Sequence, residues 1–193
     1  MLRSGIMTSV DHGFPTDFAL IEVHLAQLSA IFNSLDPTPF RKRDLDPRAE
    51  EFIAGWAREI PSDRPLGLVL HVDDHAAHAD AEAAVREAIR DYFSERATAT
   101  RRQLRMLFQR GRVSLIIGLV FLAAATVAGN LAAELLRDTG VAMFARESLL
   151  IGGWVAMWRP LEVFLYDWWP IRAEARLFDR LSAMTVRVRS SRP

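Results

Sequence analysis

From Val113 to Ala133 the chain runs VSLIIGLVFLAAATVAGNLAA, twenty-one residues without an ionisable side chain, and the run ends only at Glu134. A helix of that length is about 30 Å long, the thickness of a bilayer's hydrocarbon core. An amphipathic helix of a soluble protein would keep one polar face, whereas this run has only Ser114, Thr126 and Asn130 scattered around its circumference. The pattern predicts a transmembrane helix over residues 113–136.

A second apolar run follows a connector expected at 137–148. Residues 149–171, LLIGGWVAMWRPLEVFLYDWWPI, are long enough for another crossing, but Arg159, Glu162 and Asp167 interrupt them. In a straight helix Arg159 falls close to mid-bilayer, where an unpaired charge is costly. Glu162, three residues on, is its expected partner on the same face. Pro160 lacks the N–H that would bond to Ala156 and predicts a kink. The segment either spans with that kink, breaks at Pro160 into an interfacial helix, or lines a conducting path. The first arrangement fits the flanks best. Small residues at four-residue spacing, Ala125, Gly129 and Ala133 on the first run and Gly152 and Ala156 on the second, are candidates for close helix packing.

The front half has a different rhythm. Residues 1–17 show no periodicity and are expected to be a loose tail, without the apolar core of a cleaved signal peptide. From Phe18 to Leu25 apolar and polar positions alternate, predicting a half-buried strand. Residues 33–46, NSLDPTPFRKRDLD, are expected to form a surface loop, serving either partner recognition or simple connection. Asp46 and Pro47 then predict a helix start, with Ala49, Phe52, Ile53, Trp56 and Ile60 as its apolar stripe and Pro61 as its stop. Leu66 to Val72, LGLVLHV, predicts a buried strand. Asp73 or Asp74 would cap a second helix, buried through Ala81, Ala84, Val85, Ala88, Ile89, Tyr92 and Phe93. Strands joined by a helical crossover lie parallel, and a two-stranded sheet is marginal alone. The missing strand is sought in residues 185–189, TVRVR, or in another subunit.

Charge sharpens this layout. Lys, Arg, Asp and Glu cancel overall, yet residues 1–100 hold 17 acids and 10 bases, while residues 101–193 hold 7 acids and 14 bases. Five arginines precede the first run, and Arg172, Arg176, Arg180, Arg187, Arg189 and Arg192 follow the second, which by the positive-inside rule puts both ends in the cytosol. Arg110, Arg112, Trp168, Trp169 and Arg172 are the expected interfacial anchors. Beside a span, this basic character suits anionic lipid headgroups better than nucleic acid. No cysteine is present, which excludes disulfides and thiolate chemistry. The densest group of potential ligands is HVDDHAAH, where His71, Asp74, His75 and His78 are weak candidates for a metal; helix capping and solvation explain the same residues without one. No phosphate loop, nucleophile elbow or HExxH occurs, so neither a cofactor nor catalysis is expected.

Two stretches, FNSLDPTPFRKRDLD with the following AEEFIAGWARE, and GWVAMWRPLEVFLYDWWPI, resemble a family of uncharacterised bacterial membrane proteins with a small cytosolic domain and a C-terminal hydrophobic hairpin. The resemblance covers most of the chain beyond residue 17 and implies the layout alone, with no activity or functional residue. The expected fold is an α+β membrane protein, in which a βαβα-type cytosolic domain (18–97) precedes a basic juxtamembrane helix (98–112), a two-helix transmembrane hairpin (113–136 and 149–171) and a basic cytosolic tail (172–193). The function expected is that of a non-enzymatic bacterial inner-membrane subunit for assembly, scaffolding or anchoring, acting by self-association or in a larger complex. The alternative is an oligomeric channel or transporter component that uses Arg159 and Glu162.

Overall fold

The structure, a computed structural model, describes residues 14–15, 17–33, 44–73, 79–135 and 139–190. It divides into two compact units, one formed by Met1–Ala99 with Glu174–Pro193 and the other by Thr100–Ala173. The expected tail at 1–17 and loop at 33–46 lie mostly outside the described residues.

The first unit contains strand β1 (Ala19–Leu25), a short 3-10 turn (Leu28–Ile31), helix α1 (Pro47–Glu59), strand β2 (Leu66–Val72), the start of helix α2 (Ala79–Leu135), most of helix α4 (Trp168–Ser182) and strand β3 (Thr185–Ser190). The three strands form one parallel sheet in the order β1-β2-β3, with Ile21 beside Leu68 and Leu68 beside Val186. Alternation sorts the two faces. Ala19, Ile21, Val23, Leu68, Leu70 and Val186 join a core with Ile53 and Ala57 of α1, Val85, Ile89 and Phe93 of α2, and Phe178 and Leu181 of α4. On the opposite face Leu20 and Val69 pack with Phe14. Gly67 makes that packing feasible, since a Cβ there would lie 2.7 Å from Leu20 and 2.9 Å from Phe14.

The α1 boundaries follow from local chemistry. The Asp46 side chain accepts from the Arg48 N–H at 2.9 Å, and Pro47 occupies the first helical position. Of the expected stripe, Ile53 and Ile60 are buried with Ala54 and Ala57 beside them, and Ala49, Phe52 and Trp56 are partly buried against the same core. Phe52 and Trp56 flank it, edge to face at 6.3 Å. Across the helices, Tyr92 donates to Glu50 at 2.6 Å and Arg96 bonds the same carboxylate oxygen at 2.5 Å. Burial, followed by the Glu50 hydrogen bond, pushes the Tyr92 hydroxyl up to about 12.

Four expectations about layout are corrected. The domain is not a βαβα unit confined to 18–97, because the sheet takes its third strand from beyond the apolar segments. Residues 172–190 are consequently no tail but helix and strand, tied in where the Arg180 guanidinium donates to the carbonyls of Pro61 at 2.9 Å and Arg64 at 3.2 Å. The helices expected at 98–112 and 113–136 are one with the domain helix, since no proline interrupts Ala79–Leu135. The connector expected at 137–148 is helical from Thr139 onward, as helix α3 (Thr139–Glu162), because Arg146 and Glu147 are charged but good helix formers.

The second unit holds the rest of α2, α3, a π turn (Val163–Asp167) and the first turn and a half of α4. Pro160 lies within α3, just ahead of the π turn. Both long helices are apolar enough to cross a membrane, and only 17% of each apolar window is buried.

Candidate functional site

The second unit's geometry is set by where its two apolar helices touch. A Cβ on Gly111 would lie 2.7 Å from Val163 and 3.4 Å from Phe164; one on Gly118 would lie 2.9 Å from Met157 and 3.3 Å from the Ala156 carbonyl. One on Gly153 would lie 2.5 Å from Leu122, and one on Gly129 would lie 3.4 Å from the Arg146 Cα. These contacts define an antiparallel register. Steps of seven, four and seven along α2, from Gly111 through Gly118 and Leu122 to Gly129, are met by backward steps of six, four and seven from Val163 in the turn after α3 through Met157 and Gly153 to Arg146. Such alternation is the signature of helices that keep one seam facing a partner.

The expected packing residues are only partly on this seam. Ala125 is buried, and Gly129 and Ala156 take part through the contacts above. Gly152 has open space around it, and its neighbour Gly153 makes the close approach instead. The Ala133 side chain lies outside the described residues. Gly111 and Gly118 were not singled out by a four-residue ladder. A seven-residue one, Gly111, Gly118 and Ala125 against Gly153 and Pro160, would have found them, and all five are buried.

The charged pair is present. The Arg159 Nη1 donates to Glu162 Oε2 at 2.9 Å and lies 3.9 Å from Asp167 Oδ2, while the Trp158 indole N–H donates to Glu162 Oε1 at 3.1 Å. At 3.6 residues per turn, positions 159 and 167 would be about 80° apart around a regular α-helix. The π turn, with its wider winding, reduces that offset and brings Asp167 toward Arg159. The π turn ends where the Trp168 indole donates to the Phe164 carbonyl at 2.9 Å.

The register also gives the level of this cluster along α2. Following the register, Arg159 is level with Ile116, Glu162 with Val113 and Asp167 with Phe108, whose ring lies 6.1 Å from Phe164 and 6.4 Å from Trp168. The cluster thus stands at the arginine-rich end of the α2 apolar run and not at its middle. Of the expected anchors, Arg110, Arg112, Trp169 and Arg172 are exposed; Trp168 is half-buried, with the Arg172 guanidinium 5.4 Å from its ring.

The weak metal candidates are not assembled among the described residues. Asp74, His75 and His78 lie outside them. His71 sits on the sheet face opposite the core, with its Nε2 3.5 Å from Glu22 Oε2 and its ring stacked on His24 at 4.5 Å. Among the described residues the strand order β1-β2-β3 has no reversal, the point at which open α/β sheets usually form a ligand crevice.

Every exposed large hydrophobic side chain among the described residues falls between Met106 and Trp169, including Ile117, Val120, Phe144, Trp154 and Val155. The described residues of the first unit show none. Neither a protein family nor a curated protein nor a solved structure matches this chain, so the site must be interpreted from its own chemistry.

Proposed function

We propose that the protein is a non-enzymatic integral membrane protein whose α/β domain is held at the bilayer by the α2–α3 hairpin, and that it serves as an assembly, scaffold or anchoring subunit by self-association or within a larger complex. The observation that carries the reading is the confinement of exposed apolar side chains to Met106–Trp169. In water, a patch of that extent would be covered by a partner or would aggregate; lipid is the solvent that suits it. Strand pairing gives independent support. β2 precedes the hairpin and β3 follows it, yet they are neighbours in one sheet, so an even number of crossings is required. The arginines at the same end favour the cytosolic side for both termini. The resemblance stated above favours the inner membrane of a bacterium.

Carbonate-washed membranes should retain the protein. The chain has no cysteine, so single cysteines report sidedness directly. Glu59→Cys and Ser190→Cys should react with an impermeant maleimide only after permeabilisation, and Gly140→Cys should react in intact spheroplasts. Protein in the supernatant, or Glu59→Cys and Ser190→Cys labelled from opposite sides, would refute the anchoring. A native mass spectrum showing only monomer, together with an empty copurification, would refute the scaffold role. The channel alternative finds no support in the register, since Arg159 and Glu162 stand near the end of the apolar run.

A further inference from the structure

The geometry points to two arginine rungs that grip opposite leaflets: Arg159 binds lipid phosphodiesters at the basic rim, and Arg146 binds them in the far leaflet. This rests on the membrane reading above and goes beyond it by fixing the depth of the hairpin and the chemistry it meets at each face.

Three observations carry it. First, α3 carries no charge between Glu147 and Arg159, and Arg146 is thirteen residues before Arg159, a rise of about 20 Å. A hydrocarbon core of about 30 Å leaves roughly 5 Å to be covered at each end, one helical turn, which is within the reach of a snorkelling arginine. Second, α2 gives the same boundary independently. The register sets Arg159 level with Ile116 and Arg146 beside Gly129, and the apolar run extends three residues beyond the first level, to Val113, and four beyond the second, to Ala133. That is again about one turn at each end. Third, the direction of reach is visible at the basic rim. Both carboxylates that engage Arg159, Glu162 and Asp167, lie farther along the chain toward Arg172 and draw the guanidinium that way. The Arg159 side chain is 70% exposed, and a guanidinium has five donors, so N–H groups remain for phosphate. Arg146 is likewise exposed, while its backbone packs on Gly129.

The test uses bimane attached to Phe144→Cys, Ile151→Cys or Leu161→Cys of the full chain in phosphatidylcholine–phosphatidylglycerol vesicles, quenched by lipids with nitroxides at graded depths. The label at 151 should be quenched most by the deepest nitroxide, and those at 144 and 161 by the shallow ones. Arg159→Leu should move the 161 label several ångströms inward, and Arg146→Leu should do the same for the 144 label. Arg159→Lys and Arg146→Lys, which retain a snorkelling cation, should leave both in place. A 161 label at mid-bilayer depth, or labels indifferent to both Leu variants, overturns the arginine rungs while the membrane reading stands. A vesicle-free supernatant containing the labelled protein overturns the membrane reading itself.

Discussion

The closest approach between the apolar helices predicts opposite outcomes at two adjacent glycines. A Cβ on Gly153 would stand 2.5 Å from Leu122 Cδ1 and 3.4 Å from the Leu122 Cα. The first distance is about 1 Å inside the optimum for two carbons, while the second is ordinary contact with the backbone. Gly153→Val adds two further methyl groups at that point, so the helices must separate or Leu122 must leave its rotamer, at a cost of about 1–3 kcal/mol. Gly152 has nothing within 4 Å. Gly152→Ala should therefore be neutral or stabilising by up to about 1 kcal/mol, the helix propensity difference. The two variants should differ by about 1–4 kcal/mol. Reversible unfolding by dodecyl sulfate in mixed micelles, followed through Trp154 and Trp158 fluorescence, measures the difference. A Gly118→Cys, Met157→Cys pair supplies a geometric readout, because oxidation should join the two helices in an otherwise cysteine-free chain and Gly153→Val should lower the yield. Equal effects at 152 and 153, or cross-linking unaffected by Gly153→Val, would refute the register.

Leu181→Ala should destabilise the domain by about 2–5 kcal/mol in urea unfolding, because Leu181 is fully buried although it follows both apolar runs; a loss under 1 kcal/mol would argue against α4 as a core element. Asp46→Ala should cost about 1 kcal/mol by the same measurement, with Asp46→Ser recovering most of it, since the side chain satisfies the Arg48 N–H. In a Tyr166→Phe background, absorbance at 295 nm should titrate Tyr92 near pH 12, and Glu50→Gln should lower that midpoint while burial keeps it above 10. Because the folded-state value is raised, Tyr92's contribution to stability is complete below pH 10 and fades as pH rises toward 12.

Period-two alternation in β1, the apolar LGLVLHV run and the Asp46–Pro47 start made most of the first unit legible in the sequence, each being a local signal. TVRVR was recognisable as a strand, but no pattern within a segment records which distant strand it joins. The apolar pattern stops at the connector although the helix does not, because Arg146 and Glu147 extend a helix without difficulty. The level of Arg159 against α2 is hidden in the sequence for a related reason. Counting from the start of its own run gives mid-bilayer, while the α2 glycines that fix its level are far away in sequence. Gly152 and Gly153 are indistinguishable by type, and only the facing Leu122 separates them.

The order in which the chain leaves the ribosome gives the split sheet a consequence. Until residue 190 has emerged, β2 has no neighbour on one side, and Ile53, Val85 and Phe93 lack the Phe178, Leu181 and Val186 that complete their surroundings. Maturation of the nascent domain must then wait for the two long helices to be synthesised, and a chain stalled within them would present an open strand edge and an unfinished interior to proteases and chaperones.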